Sequence, residues 1–260
     1  MMDEGYKDII YRVKESVACI LFNRPERYNA FRTDTLKEIC SALEVAELDD
    51  DVRVIVLRGA GEKAFCTGGD VEEAKGGGGY DREMDYWHTK IHHMIRSVTK
   101  PVIAAVNGWA IGGGHILQVL CDLSIAADTA KFGQAGPRVG SFDAGFGASY
   151  LARVVGEKKA REIWFLCRTY TAQEALQMGL VNKVVPLSEL DSEVERWCNE
   201  IKELSPYAIR CLKHAFNADT DHIFGFETMS MDAVRLFWGS DEAKRYKNLF
   251  TEKQKAKKKG

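Results

Sequence analysis

Apolar and polar positions in the first half of the chain switch repeatedly between two periods. Ile9 to Lys14 (IIYRVK) and Val17 to Asn23 (VACILFN) read as two strands joined by a tight turn at Glu15-Ser16, and Pro25 ends the pair because proline cannot donate to a ladder. Helical spacing follows: Leu36, Ile39, Cys40, Leu43 and Ala46 fall on one face, behind a cap expected at Thr33 or Asp34. VRVIVLRG, from Val52, is apolar enough to be a strand covered on both faces. The alternation then repeats, with a helix over Trp87 to Val98, a buried strand over Pro101 to Ala110, and a helix over Gly112 to Cys121. Short strands at Leu123 to Ala127 and Ala130 to Gly133 complete it.

Beyond the glycine-rich stretch Gly136 to Gly147 the pattern predicts helices only. They cover Ala148 to Val155, Glu157 to Cys167, a short helix with a Thr171/Glu174 capping box stopped by Gly179, and Ser188 to Leu204. A further helix opens at Ser205-Pro206, where serine caps and proline occupies the first helical position. The lysine-rich end EKQKAKKKG is expected to fray. The fold class is therefore α/β, with strand-strand-helix units over residues 1–200 and a helical region over 201–260. Phe224, Phe226, Met229, Met231, Phe237 and Trp238 make that last region too apolar to stand alone, so it should pack on the body or on another subunit.

Composition narrows the function. With 260 residues, 45% hydrophobic and 28% charged, the chain can build a sizeable core, and a net charge of -2 argues against a nucleic-acid partner. No apolar run reaches the roughly 18 to 20 residues of a membrane span, and MMDEGYKDII is too acidic for a signal peptide, so a cytoplasmic protein is expected. Seven cysteines without a C-x-x-C pair suit reduced thiols. His88 and His92 stand at i, i+4, but no acidic third ligand follows at a recognisable spacing, so no metal site is expected.

The chemistry concentrates in glycine turns. Gly112-Gly113-Gly114 lies between an apolar strand and a helix, where backbone can approach a ligand and unpaired N-H groups carry partial positive charge. Gly68-Gly69 offers a second close approach. Gly76 to Gly79, followed by Tyr80, is open to two readings, a surface excursion or a lid presenting the tyrosine.

AFCTGGD at Ala64 to Asp70 and NGWAIGGGHILQVLCDLSIAAD at Asn107 to Asp128, in that order, resemble the crotonase (enoyl-CoA hydratase/isomerase) superfamily. The resemblance implies a spiral of β-β-α repeats with a C-terminal helical trimerisation region, assembled as a homotrimer or homohexamer, and an acyl-CoA thioester substrate. It implies that the amides of Gly69 and Gly113 form an oxyanion hole, where losing one donor costs about 3 to 4 kcal/mol of barrier. Hydratases of the superfamily use two glutamates, and here those places hold Ile116 and Gly136. Neither side chain can move a proton, so simple enoyl-CoA hydration is disfavoured.

FGQAGPRVGSFDAGFG, Phe132 to Gly147, with VVGEKKAREIWFLC after it, resembles the branch containing 2-ketocyclohexanecarboxyl-CoA hydrolase and 1,4-dihydroxy-2-naphthoyl-CoA synthase. The resemblance assigns acid/base roles to Ser141 and Asp143, a small bicarbonate pocket to Gln134, Gly136 and Trp164, and a lid position to Tyr80. It places Trp238 where both enzymes carry a tyrosine. For coenzyme A, the cations Arg24, Arg27 and Lys75 are candidates for the phosphates, the backbone near Asn29 and Ala30 for the adenine, and Asp70 is counted with them. No tightly bound cofactor is implied; coenzyme A enters as substrate, and bicarbonate is an option. The expected activity is ring-opening hydrolysis of a cyclic beta-ketoacyl-CoA, as in anaerobic aromatic degradation. The alternatives are ring closure by the synthase and a catalytically silent binding or assembly module.

Overall fold

A computed structural model describes residues 5–71 and 81–259, so Lys75, Tyr80 and the glycine run before it lie outside the described residues. The chain opens with the antiparallel pair β1 (Ile9–Lys14) and β2 (Val17–Phe22), whose turn residues Glu15 and Ser16 both take positive φ. Helix α1 (Thr33–Leu48) follows, and its cap is Arg32, whose N-H donates to Thr35 Oγ1 at 3.1 Å. The expected cap at Thr33 or Asp34 is thus one or two residues late.

From there the units repeat. β3 (Val54–Gly59) and β4 (Ala64–Cys66) lead to α2 (Arg82–Ser97), and β5 (Val102–Val106) and β6 (Trp109–Ile111) lead to α3 (Gly113–Leu120). β7 (Leu123–Ala127) and β8 (Lys131–Gly133) lead to the short α4 (Gly136–Val139). The first strand of each unit joins a six-stranded sheet, ordered β1-β2-β3-β5-β7 and closed by a later strand, and the second joins a smaller sheet containing β4-β6-β8. Two expectations are corrected here. The run Pro101 to Ala110 breaks at Asn107-Gly108, because Asn107 turns to bond Gly59 and Gly61 and the chain crosses to the other sheet. Helix α2 starts five residues before Trp87, because the Asp81 carboxylate accepts the Met84 N-H at 2.8 Å and caps it.

After α4 a π-helical turn (Gly145–Tyr150) runs into α5 (Leu151–Val155), followed by α6 (Glu157–Leu166), β9 (Thr169–Thr171), α7 (Ala172–Gln177) and β10 (Lys183–Val185). The second half is therefore not helical alone: β9 pairs with β8, and β10 extends the large sheet beside β7. Four helices finish the chain, α8 (Leu190–Lys202), α9 (Pro206–Ala218), α10 (Ile223–Trp238) and α11 (Asp241–Lys259). The lysine-rich end expected to fray forms the last turns of α11. Of the six large apolar residues singled out in this region, Phe226 and Met229 are exposed, while Phe224 packs on Phe146 with ring centroids 5.0 Å apart.

The main core lies between the sheets and α1, α2 and α3, with Phe22, Phe31, Phe65, Phe132 and Phe146 fully buried. A second cluster, Val54, Ile103, Ile125 and Leu190 among its members, covers the other face of the large sheet beneath α8. All seven cysteines are free; Cys211 is exposed and Cys19 partly so. No helix among the described residues is long and apolar enough to cross a membrane.

Candidate active site

β4, β6 and β8 are neighbouring parallel strands, so the loops at their carboxyl ends emerge side by side. The β4 loop carries Gly68 and Gly69, the β6 loop runs through Gly112 into α3, and the β8 loop carries Gln134 and then Ser141 and Asp143. Ligands in sheets of this kind sit beyond the carboxyl ends of strands.

The first two loops touch. Gly68 has φ +85° and lies so near α3 that a Cβ on it would stand 2.9 Å from the Gly113 nitrogen. A Cβ on Gly113 would stand 2.7 Å from the Phe31 ring, so both positions exclude any side chain. Phe31 N-H donates to Gly68 O at 2.9 Å and Asp70 N-H donates to Phe31 O at 2.8 Å. In such a parallel bridge the groups of residues 68 and 70 turn toward Phe31, and the Gly69 N-H turns away from it. Gly113 is the first helical residue of α3, where an amide has no intrahelical acceptor, and the preceding Gly112 has no side chain to cap it. Among the described residues neither the Gly69 nor the Gly113 amide donates a hydrogen bond.

The third loop brings a carboxyl group to the opening of α3. Asp143 is buried; its Oδ1 accepts the Gly147 N-H at 3.0 Å, while Oδ2 is buried with no partner among the described residues. A Cβ on Gly147 would lie 2.8 Å from Asp143 Cγ and 2.9 Å from Ile116 Cδ1, so Asp143 and Ile116 flank one glycine. Burial, joined by the charge of Glu227, raises the Asp143 carboxyl to about 7, against the amides of the turn. A carboxyl group in that range can give or take a proton at neutral pH.

Ser141 N-H closes on Gly136 O at 2.8 Å, and a Cβ on Gly136 would meet both the Ser141 carbonyl oxygen, at 2.7 Å, and the Trp164 ring. The Trp164 indole N-H donates to Gly147 O at 2.5 Å, and Gln134 Nε2 binds His115 Nδ1 at 2.9 Å. Burial pushes the His115 imidazole down to about 4, which leaves it neutral and its Nδ1 able to accept. Gly136, Ser141, Asp143 and Trp164 thus form one cluster. The donors of Gln134 and Trp164 are engaged inside the protein.

Arg27, Ala30 and Asp70 meet around Arg24. Its guanidinium donates to Asp70 Oδ2 at 2.8 Å and to Ala30 O at 2.6 Å, and Arg27 lies 3.6 Å from the same carboxylate. Trp238 ends α10 half-buried, and the ring contact from that end of the helix to the Asp143 loop is made by Phe237 on Phe142, at 5.8 Å.

Sequence reasoning missed the group behind Asp143. Glu227 of α10 is fully buried, with Oε1 2.8 Å from His92 Nδ1 and Oε2 accepting the Phe146 N-H at 3.2 Å. It supplies the acidic neighbour of His88 and His92 that no local spacing revealed, and donor atoms of the three lie within 4.8 Å of one another. A signal was present: Glu227 and Ser230 stand on the same helical stripe as the buried Ile223 and Val234, where a charge is out of place.

Residues 12–259 match the family model described as enoyl-CoA hydratase/isomerase. The chain belongs to the enoyl-CoA hydratase/isomerase family. Its fold is similar to that of an enoyl-CoA hydratase from Mycobacterium avium subsp. paratuberculosis K-10, at 25% identity and a TM-score of 0.83, over 96% of this chain and 97% of that one. An enoyl-CoA hydratase/isomerase from Xanthobacter autotrophicus Py2 aligns at 30% identity and a TM-score of 0.82, over 92% and 91%. An enoyl-CoA hydratase/carnithine racemase from Magnetospirillum magneticum aligns at 32% identity and a TM-score of 0.77, over 83% and 81%. The α/β fold of β-β-α units with a C-terminal helical region is therefore that of the crotonase superfamily, whose members are acyl-CoA enzymes and usually oligomers.

Proposed function

We propose that this crotonase-family enzyme opens the ring of a cyclic beta-ketoacyl-CoA by hydrolysis through a thioester enolate. The observation that carries the reading is Asp143: a buried carboxyl with one oxygen unpartnered among the described residues, beside the apolar Ile116 of α3, on the loop that follows β8. In the reaction, water loses a proton to the Asp143 carboxylate and its oxygen bonds to the ring ketone. The bond between that carbon and C2 breaks, and its electron pair moves into the thioester, forming an enolate oxygen held by the Gly69 and Gly113 amides. Asp143 returns the proton to C2, and the product is the thioester of a dicarboxylic acid. One group serves both proton transfers efficiently when its proton affinity matches the working pH. Ser141 orients the exchange.

Arg27, Lys75 and the Ala30 carbonyl are assigned to coenzyme A, with Asp70 holding the arginines in place. Tyr80 and Trp238 are assigned to the acyl end of the site. A bicarbonate ion is not called upon, because Gln134 and Trp164 already have internal partners.

The test offers purified protein 2-ketocyclohexanecarboxyl-CoA and, separately, 2-succinylbenzoyl-CoA, each with and without bicarbonate. Consumption of the first without bicarbonate is expected; consumption of the second alone assigns ring closure instead. Asp143→Asn should lower turnover at least about a hundredfold while coenzyme A thioester binding stays near wild type. Unchanged turnover would remove Asp143 from the mechanism.

A further inference from the structure

The π-helical turn at Gly145–Tyr150 donates consecutive amides to two carboxylates from distant parts of the chain: Phe146 to Glu227 and Gly147 to Asp143. Its glycines make room for them. A Cβ on Gly145 would stand 2.0 Å from Glu227 Oε2 and 2.7 Å from its Cα, as one on Gly147 would strike Asp143. Glu227 and His92 are both fully buried, and the 2.8 Å between Nδ1 and Oε1 is a hydrogen-bond length. Burying a carboxylate is expensive, and an apolar residue on that stripe would pack against the rings of Phe146 and Phe224 at lower cost.

We propose that Glu227 and His92 form a buried dyad that keeps a second negative charge beside Asp143, making them positioning residues for the proton Asp143 handles. The inference deepens the reading of Asp143 as acid and base and rests on it. Of the two carboxyl groups, Glu227 is better suited to carry the charge, because it accepts the Phe146 amide and lies 2.8 Å from His92 Nδ1, which donates to it in one tautomer, whereas Asp143 accepts the Gly147 amide alone and its Oδ2 has no partner among the described residues. Burial keeps His92 neutral, pushed down to about 4; the tautomer with its proton on Nδ1 donates to a Glu227 carboxylate, and Nε2 is buried without a partner among the described residues. Two ionised carboxylates held by consecutive amides of one turn repel, and Asp143 responds by holding its proton.

The other charged and titratable groups facing the cluster come from α2, α3 and the turn itself, whose Tyr150 ring lies 5.9 Å from that of Phe146. His88 packs edge-on against His92 at 4.3 Å and is pushed down to about 3 by burial, and His93 stacks on Phe224. The Arg96 guanidinium lies 5.3 Å from the Phe146 ring centre and bonds Thr220, and His115 of α3 is engaged by Gln134. Burial holds His88 and His115 neutral at pH 7 and shifts His93 in the same direction, and Arg96 is a cation on this side of the Phe146 ring.

The experiment is an infrared titration of the C=O stretch of protonated Asp143, assigned by its loss in Asp143→Asn. It needs no substrate, so it stays readable if the ring-opening assay fails. The wild-type band should disappear with a midpoint near neutral pH, and a midpoint in the ordinary carboxylate range overturns the inference. Glu227→Gln keeps the shape and removes the charge; its midpoint should fall by about one unit or more, whereas Glu227→Asp should stay near wild type. An unmoved midpoint in a folded Glu227→Gln protein, or equal shifts in both variants, also overturns it. Should Glu227→Gln fail to fold, His92→Phe, which keeps a ring against Phe146, should move the midpoint in the same direction, because the undonated Glu227 then takes up a proton itself. With an active substrate, the carboxylate limb of the kcat/KM profile should move with the band.

Discussion

At the scale of single residues the site depends on atoms that are absent as much as on those present. Gly147 separates Asp143 from Ile116 and gives its amide to one carboxylate oxygen and its carbonyl to Trp164. Gly147→Ala would force a methyl to within 2.8 Å of the Asp143 carboxyl carbon. The carboxyl must then turn or the loop must shift, and misplacement of about 1 Å costs on the order of a hundredfold in rate. Steady-state assays should show kcat falling at least tenfold, with KM changing much less; equal loss in both would mean that the loop had collapsed. Gly69, Gly113, Ser141 and Asp143 were legible because glycine doublets and a polar pair in a glycine loop stand out against apolar strands. Glu227 was not legible, because its partners His92 and Phe146 lie 135 and 81 residues away and no local pattern joins them.

Among the elements, α10 and α11 hold the Asp143 loop from behind. Ser230 Oγ accepts the Ala144 N-H at 2.8 Å, Phe237 packs on Phe142, and Gly140 lies against Ala243 so closely that a Cβ would stand 2.4 Å from its carbonyl oxygen. Helices whose composition called for packing on the body or on another subunit thus build part of the candidate site within one chain. Ser230→Ala removes an acceptor from a half-buried amide and should cost about 1 kcal/mol, seen as a lower Tm, with turnover falling beyond what that loss of folded protein explains. A variant that loses stability and keeps full turnover would show that the loop does not need this tie. The long elements were readable from their periodicity, whereas β9 and β10 have three residues each, too few to show a period of two. The start of α2 was hidden by the glycine run before it, which drew the reading toward a loop even though Asp81 is a good cap.

For the whole molecule, the alternation of strands and helices gave the class, but which strand joins which sheet depends on crossings such as Asn107-Gly108 that hydrophobicity does not encode. The same burial that builds the core fixes how stability responds to pH. His88, His92 and His115 are held neutral by burial, pushed down to about 3, 4 and 4, so below the unfolded value of about 6.5 the unfolded chain binds protons that the native protein refuses. Their contribution is complete above pH 6.5 and is lost as pH falls toward 4. Asp143 and Glu227 act in the opposite sense: both are raised, so the native state binds their protons more tightly and stability falls as pH rises from about 4 through the folded value, near 7 for Asp143. Three histidines outnumber two carboxyl groups, and the net expectation is a Tm that declines as pH drops from 6.5 to 4. Asp143→Asn separates the two contributions. It removes a group that destabilises the native state only at the higher pH, so its Tm should exceed wild type at pH 8 and converge with it near pH 4. Calorimetry at the two pH values checks this, and an Asp143→Asn Tm below wild type at pH 8 that converges with it toward acid would mean that Asp143 is stabilised as the anion and does not hold its proton in the folded protein.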